Sequence, residues 1–506
     1  MKILKNYING RFVDEDHYFV KHNPSTAEGL CSFPQTSQAG VDKVCKKARE
    51  SFLKWKKESR LYRAEFFYRI SRALENRKEE IAQVISLETG KNYNESIAEV
   101  NEALHMAQYA FGSGRTPIGE MVASEIAEKD AYMLRKPKGV VAIISPFNFP
   151  LAIGGFWCAA PALVEGNTVI LKPSEDAPWT SELISQIYDN AGVPPGVFNV
   201  IHGNGEVGKM LSENDVDHIC FTGSADVGQK IRRVAAESWN KTTSCELGSK
   251  SAVIVFEDAN LELALKACVA SSLKLSGQRC VSAGRIIVSR KIIKDFSERF
   301  VNLIKECKTG APLIKKTHST GSPENVCWEE MVENKEMYYG PLINKEALNK
   351  VIQYNEMVLG DSEAQVLLRG HVIGDVGNFI TPMVYVTEWR NVPYLKNEVF
   401  GPHIAIIPFD TLEDAVRIYN DTDYGLAVGV CTEDFKKARF CRDNCDFGMC
   451  YWNGGSIAAE SHLAFGGVKK SGNGFPSAAR TFRAVTHEVS WTVNHADALI
   501  FPQGMR

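Results

Sequence analysis

No stretch of the 506-residue sequence runs to about 18 uncharged apolar residues, so a membrane-spanning helix is not expected. Basic side chains are in no excess. Sixty-one acidic against 58 basic residues leave a formal net charge of −3, which argues against a nucleic-acid partner. Cysteine, thirteen in the whole chain, is too sparse to staple a disulfide scaffold. The opening residues, Met1 to Asn6, hold too short an apolar run for a secretory signal, so reduced thiols and a cytoplasmic location are expected. Internal repeats and low-complexity linkers are also missing. The one tempting thiol cluster, Cys441, Cys445 and Cys450, lacks close C-x-x-C pairs, and no histidine follows before His462; no metal is expected. What remains, 44% hydrophobic and 24% charged, is a large globular chain with length for roughly three domains.

The first hundred residues read as mainly helical, with apolar residues at three-to-four spacing over 41–57 and 61–90. Short apolar, partly β-branched runs follow at 140–144, 166–171, 196–201 and 216–221, as strands buried on both faces should. Helical spacing fills the gaps, for example over 179–191. A second series begins after residue 250, with strands at 252–256, 285–288 and 404–409 and helices at 261–275 and 413–419. This alternation predicts an α/β protein with two doubly wound parallel units meeting near residue 250, ligands lying beyond the carboxyl ends of the strands. Residues 484–494 alternate as a late strand that needs a partner, another subunit being one source.

Several loops carry chemistry. Gly223-Ser224-Ala225-Asp226-Val227-Gly228 follows a strand and opens a helix expected over 227–238; a helix N-terminus suits a pyrophosphate, although the middle glycine of G-x-G-x-x-G is missing. From this loop alone an ordinary turn capped by Ser224 is the favoured reading. Lys172-Pro173-Ser174-Glu175 places an ammonium and a carboxylate at a strand end, where Glu175 could accept from ribose hydroxyls and repel a 2′-phosphate. Cys280, in Gly277-Gln278-Arg279-Cys280, sits in a glycine-containing turn after a helix; exposure there and the adjacent Arg279 would favour the thiolate. Glu246 stands at the junction of the two series, where partial desolvation would raise its pKa toward that of a general base. Asn148, held between Phe147 and Phe149 and between two prolines, could donate to an oxyanion.

Taken in this order the segments resemble the aldehyde dehydrogenase superfamily. The resemblance rests on Pro146-Phe147-Asn148-Phe149-Pro150, Lys172-Pro173-Ser174-Glu175, Phe221-Thr222-Gly223-Ser224, Glu246-Leu247-Gly248, Gly277-Gln278-Arg279-Cys280, Asn397-Glu398-Val399-Phe400-Gly401-Pro402 and Phe465-Gly466-Gly467. It implies a discontinuous Rossmann-like NAD-binding domain (1–125 and 139–249) and an α/β catalytic domain (250–450). A β oligomerisation extension (126–138 and 484–506) and a substrate-pocket loop with its return segment (451–483) complete the expected subunit. By resemblance Cys280 is the nucleophile, Glu246 the general base, and Asn148 with the Cys280 N–H the oxyanion hole. The cofactor, NAD with NADP as the alternative, would touch Ser145, Phe147, Lys172, Ser174, Glu175, the 223–228 loop, Glu398 and Phe400. The implied reaction oxidises an aldehyde to a carboxylic acid through a thiohemiacetal and a thioester on Cys280, in a homodimer or homotetramer.

The sequence also departs from the resembled pattern. Ser249 stands where glycine is usual, Phe147 where tryptophan is more common, Ala464 where proline often precedes Phe-Gly-Gly, and His403 where a β-branched residue is frequent. If position 249 needs a positive φ, serine there costs roughly 1 kcal/mol. The substrate pocket is expected near Phe156, Trp157, Val281, Ser282 and residues 453–464, which favours an apolar or aromatic aldehyde. A semialdehyde whose carboxylate meets Arg279 is one alternative, and a coenzyme A-acylating reaction is another.

Overall fold

The computed structural model describes residues 1–315, 331–475 and 477–499. Parts of the expected catalytic domain (316–330) and extension (500–506) therefore lie outside the described residues.

The predicted alternation builds two large sheets. In the first, of eight strands, Thr242–Glu246, His218–Thr222, Val140–Ile144, Thr168–Lys172 and Phe198–Val200 lie side by side in that order, all parallel. Strand order reverses between Val140–Ile144 and His218–Thr222, so the loops after these two strands diverge and open a crevice. Every residue of Val140–Ile144 is buried, as an apolar run covered on both faces requires. The second sheet, of seven strands, runs Gln365–Leu368, Met383–Val386, His403–Phe409, Arg285–Ser289, Ala252–Val255, Ala427–Cys431 and Met449–Trp452, with only the first antiparallel.

The late strand, Thr486–Asn494, pairs antiparallel with Lys129–Pro137 of the same chain, which in turn pairs with Gly119–Val122. Its partner is thus internal rather than another subunit. Trp491 stacks on Tyr132 across this pair, with ring centroids 5.5 Å apart, yet stays 55% exposed.

The beginning of the chain corrects the helical reading. Residues 1–34 form five short strands, two of which, Asn6–Ile8 and Arg11–Val13, finish an edge of the first sheet. At two to six residues each, they are too short to show a periodicity. The helix expected over 61–90 is two, Arg60–Asn76 and Lys78–Thr89. Arg77 leaves helical geometry between them and pairs with Glu80, while Glu79 and Glu80 favour a fresh helix N-terminus.

Candidate active site

One cavity of about 820 Å³ runs along the carboxyl ends of the first sheet and reaches the second. At one end are Lys172 and Glu175, with Nζ 3.2 Å from the carboxylate. Lys172 is almost fully buried, and that burial lowers its pKa. Ser224 caps the helix Ala225–Ala236, its hydroxyl accepting from the Val227 N–H at 3.4 Å, and both Ser224 and Val227 border the cavity. The helix Gly205–Glu213 forms the opposite wall. A side chain at Gly205 would meet nothing within 4 Å, which leaves that wall open to a flat ring. An open slot, a carboxylate and a helix N-terminus offer partners for a flat base, a ribose and a pyrophosphate, so the residues fit the expected cofactor.

The other end holds the three residues expected to be catalytic: Asn148, Glu246 and Cys280 all line the cavity, with Glu398 and Phe400 beside them. Cys280 follows Leu275, Ser276 and Gly277, three consecutive residues with φ of 51°, 57° and 74°. Such a left-handed run costs energy at the two non-glycine positions and is held by its surroundings. A side chain at Gly277 would strike the Gly401 carbonyl. Phe400 is also left-handed, at φ 61°, and its ring meets that of Phe147 edge-on at 6.1 Å. The Asn148 amide donates one N–H to the Gln278 carbonyl at 2.9 Å, tying its loop to the loop that carries Cys280 and leaving its second N–H unused by that bond.

Behind these loops lies a buried ionic lattice carried by the helix Tyr93–Ser113. Lys91 and Glu99 are both fully buried and paired; Lys91 Nζ also donates to the Asn148 carbonyl at 2.6 Å. Glu99 accepts from the Leu151 and Ala152 amides at 2.9 and 3.1 Å. Glu95, one turn earlier, accepts from the Leu275 amide at 3.2 Å and pairs with Arg279. One helix face thereby fixes both the Asn148 loop and the Cys280 loop. Replacing Lys91 by methionine leaves Glu99 as an uncompensated buried charge and is expected to cost about 3–5 kcal/mol, read as a shift of the urea midpoint. An unchanged midpoint would contradict this account of the lattice.

Electrostatics here are set by burial. Glu246 is fully buried with neither carboxyl oxygen hydrogen-bonded, and burial holds its pKa well above the usual carboxylate range. Burial, then the nearby Glu246 and Glu398 charges, push the Cys280 thiol up. These surroundings favour the protonated form of each group, and each acts once a proton leaves.

Several expectations are corrected. Arg279 does not activate the thiol: its guanidinium is committed to Glu95 and lies 5.2 Å over the Phe149 ring. Nor is Cys280 an exposed thiol, since it is partly buried. Ser145, Phe147, Lys172, Ser174, Glu175, Gly223, Ser224, Val227, Glu398 and Phe400 do line the cavity, but Ala225, Asp226 and Gly228 do not. Asp226 is exposed on the outer side of its helix, and Gly228 faces inward, where a side chain would strike Leu247. Phe156 is fully buried against Tyr188 at 6.0 Å, and Trp157 packs on Phe465 at 5.3 Å, so both serve the core. The Ser282 hydroxyl accepts from the Arg279 amide, at 3.2 Å. Position 249 is outside the left-handed region, so Ser249 carries no backbone strain.

Sequence reasoning missed Thr222, the helix Gly205–Glu213 and Lys350, all of which border the cavity. Gly203-Asn204-Gly205, a strand-to-helix turn, was the readable signal for the helix. Lys350 lies on an outer helix and carries no local signal.

A sequence model of the aldehyde dehydrogenase family matches residues 12–490. The 4-trimethylaminobutyraldehyde dehydrogenase B of Danio rerio is 33% identical over 458 residues, covering 89% of this chain and 84% of that protein. Among solved structures, a betaine aldehyde dehydrogenase from Staphylococcus aureus in complex with NAD+ matches with a TM-score of 0.88 at 26% identity, covering 98% of this chain and 96% of that one. An aldehyde dehydrogenase from Bacillus cereus matches with a TM-score of 0.90 at 28% identity, covering 98% and 97%.

Proposed function

This chain belongs to the aldehyde dehydrogenase family, and from that premise we propose how its residues divide the work of oxidising an aldehyde to a carboxylic acid with NAD. The observation that carries the assignment is the single cavity with Lys172 and Glu175 at one end and Asn148, Glu246 and Cys280 at the other. Lys172, Ser174, Glu175, Gly223, Ser224 and Val227 would hold the adenosine and pyrophosphate parts of NAD, and Ser145, Phe147, Glu398 and Phe400 the nicotinamide part. Bound NAD+ supplies the two-electron acceptor that converts a Cys280 thiohemiacetal into a thioester.

The remaining steps belong to the protein. The Cys280 thiol gives up its proton to solvent and its sulfur bonds to the aldehyde carbon as the carbonyl π pair moves to oxygen; the free Asn148 N–H with the Cys280 N–H stabilises that alkoxide, and losing one such donor costs about 10²–10³ in rate. Glu246 then takes a proton from the water that attacks the thioester, releasing the acid and restoring the thiol. Its two unpaired oxygens leave it free to bind that water. This favours water over coenzyme A as the acyl acceptor.

For the substrate, three carboxylates, Glu95, Glu99 and Glu102, share one helix face with two cations, Lys91 and Arg279, nearby. That surplus of negative charge opposes a carboxylate-bearing semialdehyde, and Arg279 is already paired. A neutral apolar or aromatic aldehyde is the reading best supported, beside the partly buried Phe149, Tyr451 and Ile457. Glu102, whose carboxyl is pushed up to about 7 by burial and by Glu99, favours an ammonium-bearing aldehyde as the second reading, consistent with the relatives' names. Steady-state NADH formation from hexanal, benzaldehyde, betaine aldehyde and succinic semialdehyde tests both; a clear preference for the semialdehyde would overturn them.

For the division into NAD-binding (1–125 and 139–249), catalytic (250–450), extension (126–138 and 484–506) and substrate-loop (451–483) parts, the support is the two large sheets and the smaller sheet of Gly119–Val122, Lys129–Pro137 and Thr486–Asn494, although Gly119–Val122 pairs with the extension. We infer a cytoplasmic homodimer or homotetramer joined through that smaller sheet. Its exposed Met121 and Trp491 support the assembly, and light scattering of the purified chain measures it. No described helix is long and apolar enough to cross a membrane.

A further inference from the structure

We propose that Ser249 is a positioning residue for the nucleophile, its hydroxyl fixing the main-chain carbonyl of Cys280 while its amide holds Glu398. This rests on the reading of Cys280 as the nucleophile and adds to it a device that the reading does not require. The Ser249 hydroxyl donates to the Cys280 carbonyl. The Ser249 N–H donates to the Glu398 carboxylate at 2.8 Å. One residue thus joins the backbone of the reacting cysteine to the acid at the nicotinamide end of the cavity.

The surroundings show that this hydroxyl is not an idle filler. Ser249 is almost fully buried, and a buried hydroxyl without partners would be costly. Its oxygen lies 2.9 Å from the Ser251 hydroxyl and accepts from the Ser251 amide at 3.2 Å. Ser251 in turn accepts from the Ala427 amide at 3.3 Å, which anchors the pair to the second sheet. Gly248 makes the approach to Glu398 possible, since a side chain there would collide with that carboxylate.

The need for such a device lies in the nucleophile loop. Cys280 comes only three residues after the left-handed run 275–277, where the backbone is held by its neighbours rather than by its own preference. On the substrate side the Asn148 amide holds Gln278, and Glu95 holds the Leu275 amide. Among these contacts, only the Ser249 hydroxyl reaches the backbone of Cys280 itself. Fixing that carbonyl limits rotation about the residue that carries both the sulfur and one oxyanion N–H.

The test uses the full-length enzyme with Ser249→Ala and Ser249→Gly, the second removing the hydroxyl without adding any bulk. Rapid mixing with NAD+ and aldehyde reads the first-turnover burst of NADH, and the burst rate constant is expected to fall about 3- to 10-fold in both variants. The NAD+ dissociation constant from calorimetry should stay within about twofold and the melting temperature within about 2 °C, because no contact to the cofactor and little packing is lost. Wild-type burst rates in both variants would overturn the proposal, and so would a slowing that merely tracks weaker NAD+ binding or a lower melting temperature. Cys280→Ala run in parallel separates the two levels. If it still turns over, the parent reading fails; if it is inactive while both Ser249 variants burst at the wild-type rate, only the role of Ser249 fails.

Discussion

Cys280→Ala is expected to lower aldehyde-dependent NADH formation by at least about 10⁴-fold, the scale on which an essential nucleophile is lost. NAD+ should still bind with an affinity within about twofold of wild type, because the adenosine-end residues are untouched and a small side chain replaces the thiol. The prediction is sharp because alternatives are few. Of the twelve described cysteines, only Cys280, Cys307 and Cys450 are even partly exposed, and only Cys280 borders the cavity. Cys307 and Cys450 both lie away from the cavity lining, so neither is placed to meet an aldehyde beside the cofactor. Substantial residual turnover in steady-state assays would reject the assigned nucleophile.

Glu246→Gln separates the two halves of the reaction. An NADH burst should persist, while steady-state turnover falls by about 10²–10⁴-fold as the thioester waits for an unactivated water. The sign of the pH dependence follows from burial. A carboxyl held above its usual range loses its proton at higher pH than an ordinary glutamate, so its base form gains population as pH rises, and wild-type deacylation should accelerate with rising pH. In the glutamine variant that rise should flatten. Absence of both burst and thioester would move Glu246 to activation of the thiol, and a pH-independent wild-type rate would contradict the shift.

Much of this was legible in the chain. The central strands were readable because each is a short apolar run covered on both faces, and their order fixes where the two site loops emerge. The proposed catalytic trio stood out in the sequence because each member sits in a loop or at a strand end with turn chemistry around it. The first 34 residues were not, since strands of two to six residues carry no period. Arg279 was misread for a different reason. Beside Cys280 in sequence it looks like an activating cation, but its partner Glu95 lies 184 positions away, and only the fold brings them together. The aromatic pair Phe156 and Trp157 failed likewise: a helix near an active site has an inward face, and the sequence does not say which face is which. Ser249 looked like a strained departure; its backbone is relaxed and its hydroxyl is engaged.

The most direct test is to mix the Glu246→Gln enzyme with NAD+ and hexanal, quench in acid, and measure the mass of the intact protein and of its peptides. A hexanoyl adduct confined to the peptide that carries Cys280, and dependent on NAD+, is the predicted result. An adduct on a different cysteine, or an NADH burst with no acylated protein, would contradict it.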